Sequence, residues 1–296
     1  MTFGKTFAGL SLAGLAVTAM TAPGVAQDAP PPINNGSISL SGGADLTTAY
    51  FFRGILQEDS GFIIQPYAEI GINAYEGTGS IQSVDIALGT WLSIHEEQTG
   101  AAGNTGAPVF YETDYYLGVS VAAFDVWSFG AVYTNLTSPN DAFASVQEIG
   151  FSASYDDSDL FGEQWAINPT VDIVFETSGS TAGLTEGVYL QFSGEWSYDL
   201  VESEDYPIAL SVPLVAGFDL DNQYYGALAG GTADDFFGFF SVGALVSTDL
   251  PFIPAEYGSW SVYAGPTIYF FGSDLEAANN GDDWEIVGTL GFSFAY

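Results

Sequence analysis

The sequence predicts an all-β protein: a single transmembrane antiparallel β-barrel of about twelve strands, following a cleaved signal peptide. Three observations carry this. Apolar and polar residues alternate with period two over segments longer than ordinary strands. The ionisable residues of those segments keep to one face. The sequence ends on an aromatic residue, Tyr296, in an alternating strand.

Residues 1–26 combine a short start carrying Lys5, an apolar core from Phe7 to Met20 and the small residues Gly24-Val25-Ala26, the three parts of a secretory signal peptide. That core is shorter than the ~20 residues a membrane-spanning helix needs. Residues 27–36, with Pro30-Pro31-Pro32, read as an extended linker, and 37–296 as one barrel domain.

Within the domain, alternation marks strands at about 37–53, 61–75, 80–94, 109–124, 126–136, 145–156, 164–177, 187–199, 207–220, 235–248, 259–271 and 283–296. The last is the clearest: Trp284, Ile286, Leu290, Phe292, Phe294 and Tyr296 share one face, and Glu285, Thr289 and Ser293 the other. Clusters of Gly, Asn, Asp and Ser separate the strands, as in EQTGAAGNTGAP and GSDLEAANNGDD, which is turn and loop chemistry. No segment has a helical period.

A soluble β-sandwich would also alternate, but the details favour a barrel in lipid. Asp45, Arg53, Glu69, Asp85, Asp114, Glu148, Asp172, Glu176, Glu195 and Glu285 all lie opposite the larger apolar set, as they must if that set faces hydrocarbon. With strands running alternately up and down, Trp127, Trp165, Trp196 and Trp260 come out near the periplasmic rim on the lipid face, half of an aromatic girdle that Tyr296 joins. The strand count is even. The outer connections, around 95–108, 221–234 and 272–282, are mostly longer than the periplasmic ones, with 157–163 and 249–258 as exceptions. Pro66, Pro169, Pro213 and Pro266 remove ladder donors and point to bulges near mid-strand.

Without Lys5, the one cation Arg53 stands against 37 acidic residues, a formal charge near −36. That excludes ordinary nucleic-acid binding, which depends on Lys and Arg neutralising phosphates. There is no cysteine, hence no disulfide framework or thiolate metal site. DLDNQ (Asp219, Asp221, Asn222) and NNGDD (Asn280, Asp282, Asp283) offer oxygen ligands but lack the spacing of a calcium loop, so no metal or other cofactor is expected. The sole histidine, His95, reads as a solvated loop residue, which leaves no nucleophile–base pair and argues against an enzyme.

The stretch LTTAYFFRGILQEDSGFIIQPYAEIGI, through Tyr50, Phe52, Arg53, Gly54, Ile55 and Pro66, resembles the start of porins of the TorF family. The resemblance implies an outer-membrane barrel more firmly than it implies a solute. In the first strand Tyr50 and Phe52 would face lipid, and Arg53 would sit near the outer end of the lumen, paired with an inward acid such as Asp45 or Glu69 or acting as a constriction charge. Inward Phe51, Tyr67, Trp91, Tyr116, Tyr189, Phe237, Phe239, Tyr263 and Tyr269 would narrow the lumen.

The expected function is passive diffusion of small cations or neutral solutes through an acid-lined pore in the outer membrane of a Gram-negative-type bacterium. The alternative is a plugged structural or adhesive barrel, and the acidity itself also suits a saline habitat. Expected partners are outer-membrane lipid, the barrel-assembly machinery through the C-terminal strand, and the solutes themselves; the sequence carries no signal for an oligomeric state.

Overall fold

A computed structural model of the protein describes residues 37–97, 109–182, 185–203, 206–226, 228 and 236–296. The signal peptide at 1–26 and the linker at 27–36 lie outside the described residues, as do parts of the connections near 98–108 and 229–235.

The strands in chain order are β1 (Ile38–Thr47), β2 (Tyr50–Phe52), β3 (Ile55–Glu58), β4 (Ile63–Glu76), β5 (Ile81–His95), β6 (Phe110–Ala123), β7 (Trp127–Thr137), β8 (Val146–Tyr155), β9 (Thr170–Ser178), β10 (Val188–Val201), β11 (Ile208–Asp219), β12 (Phe237–Gly243), β13 (Leu245–Asp249), β14 (Ser259–Phe271) and β15 (Trp284–Ala295). Two short helices lie in connections, α1 (Ser158–Phe161) and α2 (Ser273–Ala278).

Every strand of the wall pairs antiparallel with its sequence neighbour, and β1 pairs with β15 to close the sheet on itself. β12 and β13 each pair with both β11 and β14, so they are two halves of one wall strand. The thirteen strands of this sheet therefore make a closed barrel of twelve. Closure leaves no unpaired edge, the condition for a sheet to cross hydrocarbon. Ile70, Ile72, Leu88, Leu117, Phe129, Phe151, Phe192, Phe270, Ile286 and Leu290 are large apolar side chains left exposed on the outside of this wall. Such a surface is stable against lipid and not against water. The architecture is that of an outer-membrane β-barrel.

Three expectations change. The first strand does not run to residue 53: it stops at Thr47, and Tyr50–Glu58 fold back as a separate hairpin of β2 and β3. Residues 164–169 are not strand; Glu163–Trp165 form a 3-10 turn, and β9 begins at Thr170, just after Pro169. The bulges do not sit at the prolines, because the register shifts at other places, such as Asn73/Tyr75, Ser93/Ile94 and Gly217/Phe218. Instead the wall strand breaks at Ala244 without a change of register; Pro266 of β14 lies opposite Ala244, and Pro213 of β11 lies against the preceding Gly243. Neither proline has an N–H to give, so the ladder is weakened from both sides, although the Ala244 N–H still donates to the Pro266 carbonyl at 2.9 Å.

At the end of the barrel where β1 starts and β15 ends, the aromatic residues are tied to short turns. Trp127 stacks on Phe129 at 5.9 Å and Trp260 on Phe294 at 5.1 Å. Trp165 lies on the 3-10 turn rather than on a strand, stacked 6.3 Å from Trp196, whose indole N–H donates to the Gln164 carbonyl at 2.8 Å. Trp260 holds the turn at 255–257 in the same way, donating to the Tyr257 carbonyl at 2.9 Å. The two connections at 156–169 and 250–258 are thus folded against the barrel. Tyr296 exchanges backbone hydrogen bonds with Leu40 and leaves its ring exposed.

Candidate functional site: the outer lumen

The hairpin turns on Arg53 and Gly54, with φ of 49° and 84°. Positive φ at both central residues is the two-residue turn whose twist suits a hairpin, usually written Asn-Gly. An arginine in the left-handed region is uncommon and must be held there by its surroundings. Gly54 is needed twice over: a Cβ on it would meet Leu275 of α2 and Phe239 of β12 at 2.7 Å.

This hairpin sits inside the barrel, with both faces buried. Ala49, Phe51 and Ile55 pack with Tyr189, Tyr224, Tyr225, Phe239, Phe271, Leu275 and Val287. Tyr50 and Phe52, expected to face lipid, instead pack with Ile63, Trp91, Tyr111, Leu136 and Val146. The correction has a simple cause: once β1 ends at Thr47, the wall's alternation no longer dictates where the hairpin's side chains point. Each such large side chain contributes roughly 1.5–3 kcal/mol on burial.

Arg53 is 1% exposed, and its two terminal nitrogens both reach Glu148 of β8 at 2.7 Å, a forked pair. One of them also donates to the Tyr224 hydroxyl at 2.6 Å. The guanidinium carbon lies 4.9, 4.7 and 5.4 Å from the ring centroids of Phe52, Tyr189 and Tyr224. Its partner is therefore Glu148, not Asp45 or Glu69. The outer connections lock the turn from above. The Tyr225 hydroxyl donates to the Arg53 carbonyl at 2.8 Å, and Asn279 takes both sides of the turn, donating to the Gly54 carbonyl at 2.8 Å and accepting from the Leu56 N–H at 2.9 Å.

Two further carboxylates lie beside this pair. Glu112 accepts from Tyr50 at 2.8 Å, and Asp114 is 3% exposed with one oxygen unpartnered. The other sequence candidates spread over the lumen. Asp45 accepts from Tyr263, Glu69 from Tyr116 at 2.8 Å, and Asp85 from Asn73 at 2.8 Å. Asp172 is buried against Gln191, and Glu195 is half-buried on β10. Glu176, buried near the end of β9, holds the connection that follows, accepting from the Thr181 and Gly187 N–H groups at 2.6 and 2.8 Å. Glu285 is half-buried near the outer end and accepts from the next N–H in the chain, Ile286, at 3.2 Å.

Of the inward aromatics, Tyr116 and Tyr263 lie flat across the glycines opposite them, Gly89 and Gly291, where a Cβ would meet ring atoms at 2.2 and 2.3 Å. Phe237 is exposed at the rim and packs on Phe218 at 5.9 Å, so it does not narrow the lumen.

His95 is not solvated: it is 1% exposed, stacked 4.7 Å from Tyr111, with Ser93 Oγ 2.8 Å from Nε2 and Glu58 4.0 Å from Nδ1. A hydroxyl and a base are side by side there, with Ser93 0% exposed beneath the hairpin. The acidic stretch at 219–222 is likewise structural, Asp219 accepting from the Tyr225 and Asp221 N–H groups at 2.7 and 3.1 Å. Among the described residues, no group of three or more His, Cys, Asp or Glu is placed to hold a metal ion.

Sequence reasoning missed Glu112, Tyr224, Tyr225 and Asn279, the residues that make the hairpin's seat. The signals present were the Arg-Gly pair and the Tyr-Tyr pair in an otherwise polar connection, and neither is specific.

No protein-family model matches the chain, and no curated protein matches it. Solved structures do. The β domain of the Bordetella autotransporter Brka is 10% identical, with 87% of this chain and 98% of that one covered and a TM-score of 0.43. An outer membrane channel from Pseudomonas putida is 11% identical over 88% and 94% of the two chains, TM-score 0.43. The NanC porin is 10% identical over 87% and 98%, TM-score 0.34. All are outer-membrane proteins or domains at identities that speak only to fold.

Proposed function

We propose that the protein is a porin-like channel of the outer membrane, exported by the segment at 1–26, that passes small cations or neutral solutes and is constricted at its outer end by the β2–β3 hairpin. The observation that carries the charge preference is that the one cation of the barrel is cancelled by Glu148. Apart from His95 and the tyrosines, the remaining inward ionisable groups discussed above are carboxylates, and acid-lined constrictions favour cations. The Tyr50-Phe52-Arg53-Gly54-Ile55 likeness to porins of the TorF family supports the same reading, as does the polar, partly accessible wall below the hairpin.

The test is the reversal potential of the refolded protein in a planar bilayer under a salt gradient. A potential displaced toward that of the cation is expected; an anion-selective potential overturns the proposal. The second reading, a plugged structural barrel, is favoured by the burial of the hairpin and predicts no current from protein whose heat-dependent gel migration shows it to be folded.

A further inference from the structure

We propose that the seat of Arg53 is a recognition site for guanidinium-bearing solutes, occupied in cis by the chain's own side chain. This deepens the channel reading, since it names a solute class, but the seat itself does not depend on conduction.

Most of what holds the guanidinium lies outside the hairpin that delivers it. Glu148 comes from β8, Tyr189 from β10 and Tyr224 from the connection after β11. A forked carboxylate flanked by aromatic faces suits a planar guanidinium better than a sodium ion or a primary amine, because only the planar group can fill both oxygens and stack at once. The seat also holds more acid than its occupant uses. Glu112 and Asp114 are both buried on β6 next to it, and one oxygen of Asp114 is buried and unpartnered. Withdrawing the hairpin would leave three carboxyls facing a lumen with no other cation. A free guanidinium compound is the replacement with the right shape and charge, and by taking the seat it would hold the hairpin out. A tethered group acts at a millimolar effective concentration, so free competitors should act in the millimolar range.

The test empties the seat and asks what refills it. Refolded Arg53→Ala protein is melted in detergent with methylguanidinium chloride, methylammonium chloride or sodium chloride at equal ionic strength. Methylguanidinium should raise the melting temperature saturably, by roughly 3 °C near tenfold excess over its dissociation constant, with the other two salts without effect. The same titration on the double variant Arg53→Ala/Glu148→Gln should show no rise. Absence of a rise in the single variant, an equal rise with methylammonium, or an undiminished rise in the double variant would each overturn the assignment. Should Arg53→Ala fail to refold, refolding yield becomes the readout: methylguanidinium in the refolding mixture must restore the heat-modifiable band, and failure to do so overturns the assignment equally. Because none of these readouts involves current, failure here leaves the channel reading standing, and a barrel without conductance leaves the seat standing.

Discussion

The two ends of the lumen are built on opposite principles. At the outer end the interior is a protein core, with Phe51, Phe52, Tyr189, Tyr224, Tyr225, Phe239 and Leu275 buried around one forked ion pair. Toward the periplasmic end the inward positions are short hydroxyls that satisfy one another across strands, Ser154 with Thr170 at 2.7 Å and Ser261 with Ser293 at 2.8 Å. A barrel wall alone fixes only where side chains point. What fills the interior depends on whether a connection folds inward, and here the connection between β1 and β4 does. The outer half is therefore predicted to carry the interior's stability, and the lower half to be tolerant and wet.

Several substitutions would break or sharpen that contrast. The largest effect is expected for Glu148→Gln, which leaves the Arg53 guanidinium buried without its counter-charge: a loss of about 3–5 kcal/mol, read from denaturant unfolding. Leu275→Ala removes the α2 side chain that caps Gly54 and should cost about 2–5 kcal/mol in the same measurement. Tyr225→Phe deletes one hydroxyl that holds the Arg53 carbonyl, for about 1 kcal/mol. In the lower half, Ser261→Ala deletes one hydroxyl pair and should cost no more than about 1 kcal/mol. Glu69→Gln keeps an acceptor for Tyr116 and should leave stability unchanged while moving the reversal potential toward zero. If the serine change proved as costly as the leucine one, the division into a packed half and a wet half would be wrong.

The wall was legible because lipid enforces alternation at nearly every position, so β4 to β8 and β10 to β15 fall within a few residues of their expected spans. The interior was not, because a hairpin packed on both faces inside a barrel obeys no external pattern. Tyr50 and Phe52 continue the alternation of β1 in the sequence and so read as lipid-facing, although the chain leaves the wall after Thr47. Arg53 stands out in the sequence as the one cation of the barrel, but its partner comes from β8, and no sequence rule selects Glu148 over Asp45 or Glu69. His95 shows the same limit: being last in its strand suggests solvent, and only the returning hairpin buries it. The prolines taught a different lesson, since Pro213 and Pro266 act jointly on the strand between them rather than each on its own strand.

The most direct test replaces residues 50–58 with a short Gly-Ser connection and compares single-channel conductance with that of the intact protein in the same bilayer. If the hairpin fills the outer lumen of an otherwise passable barrel, conductance should rise several-fold while the preference for cations persists. Equal conductance in the two proteins, each shown to be folded, would contradict the central claim that this hairpin governs passage.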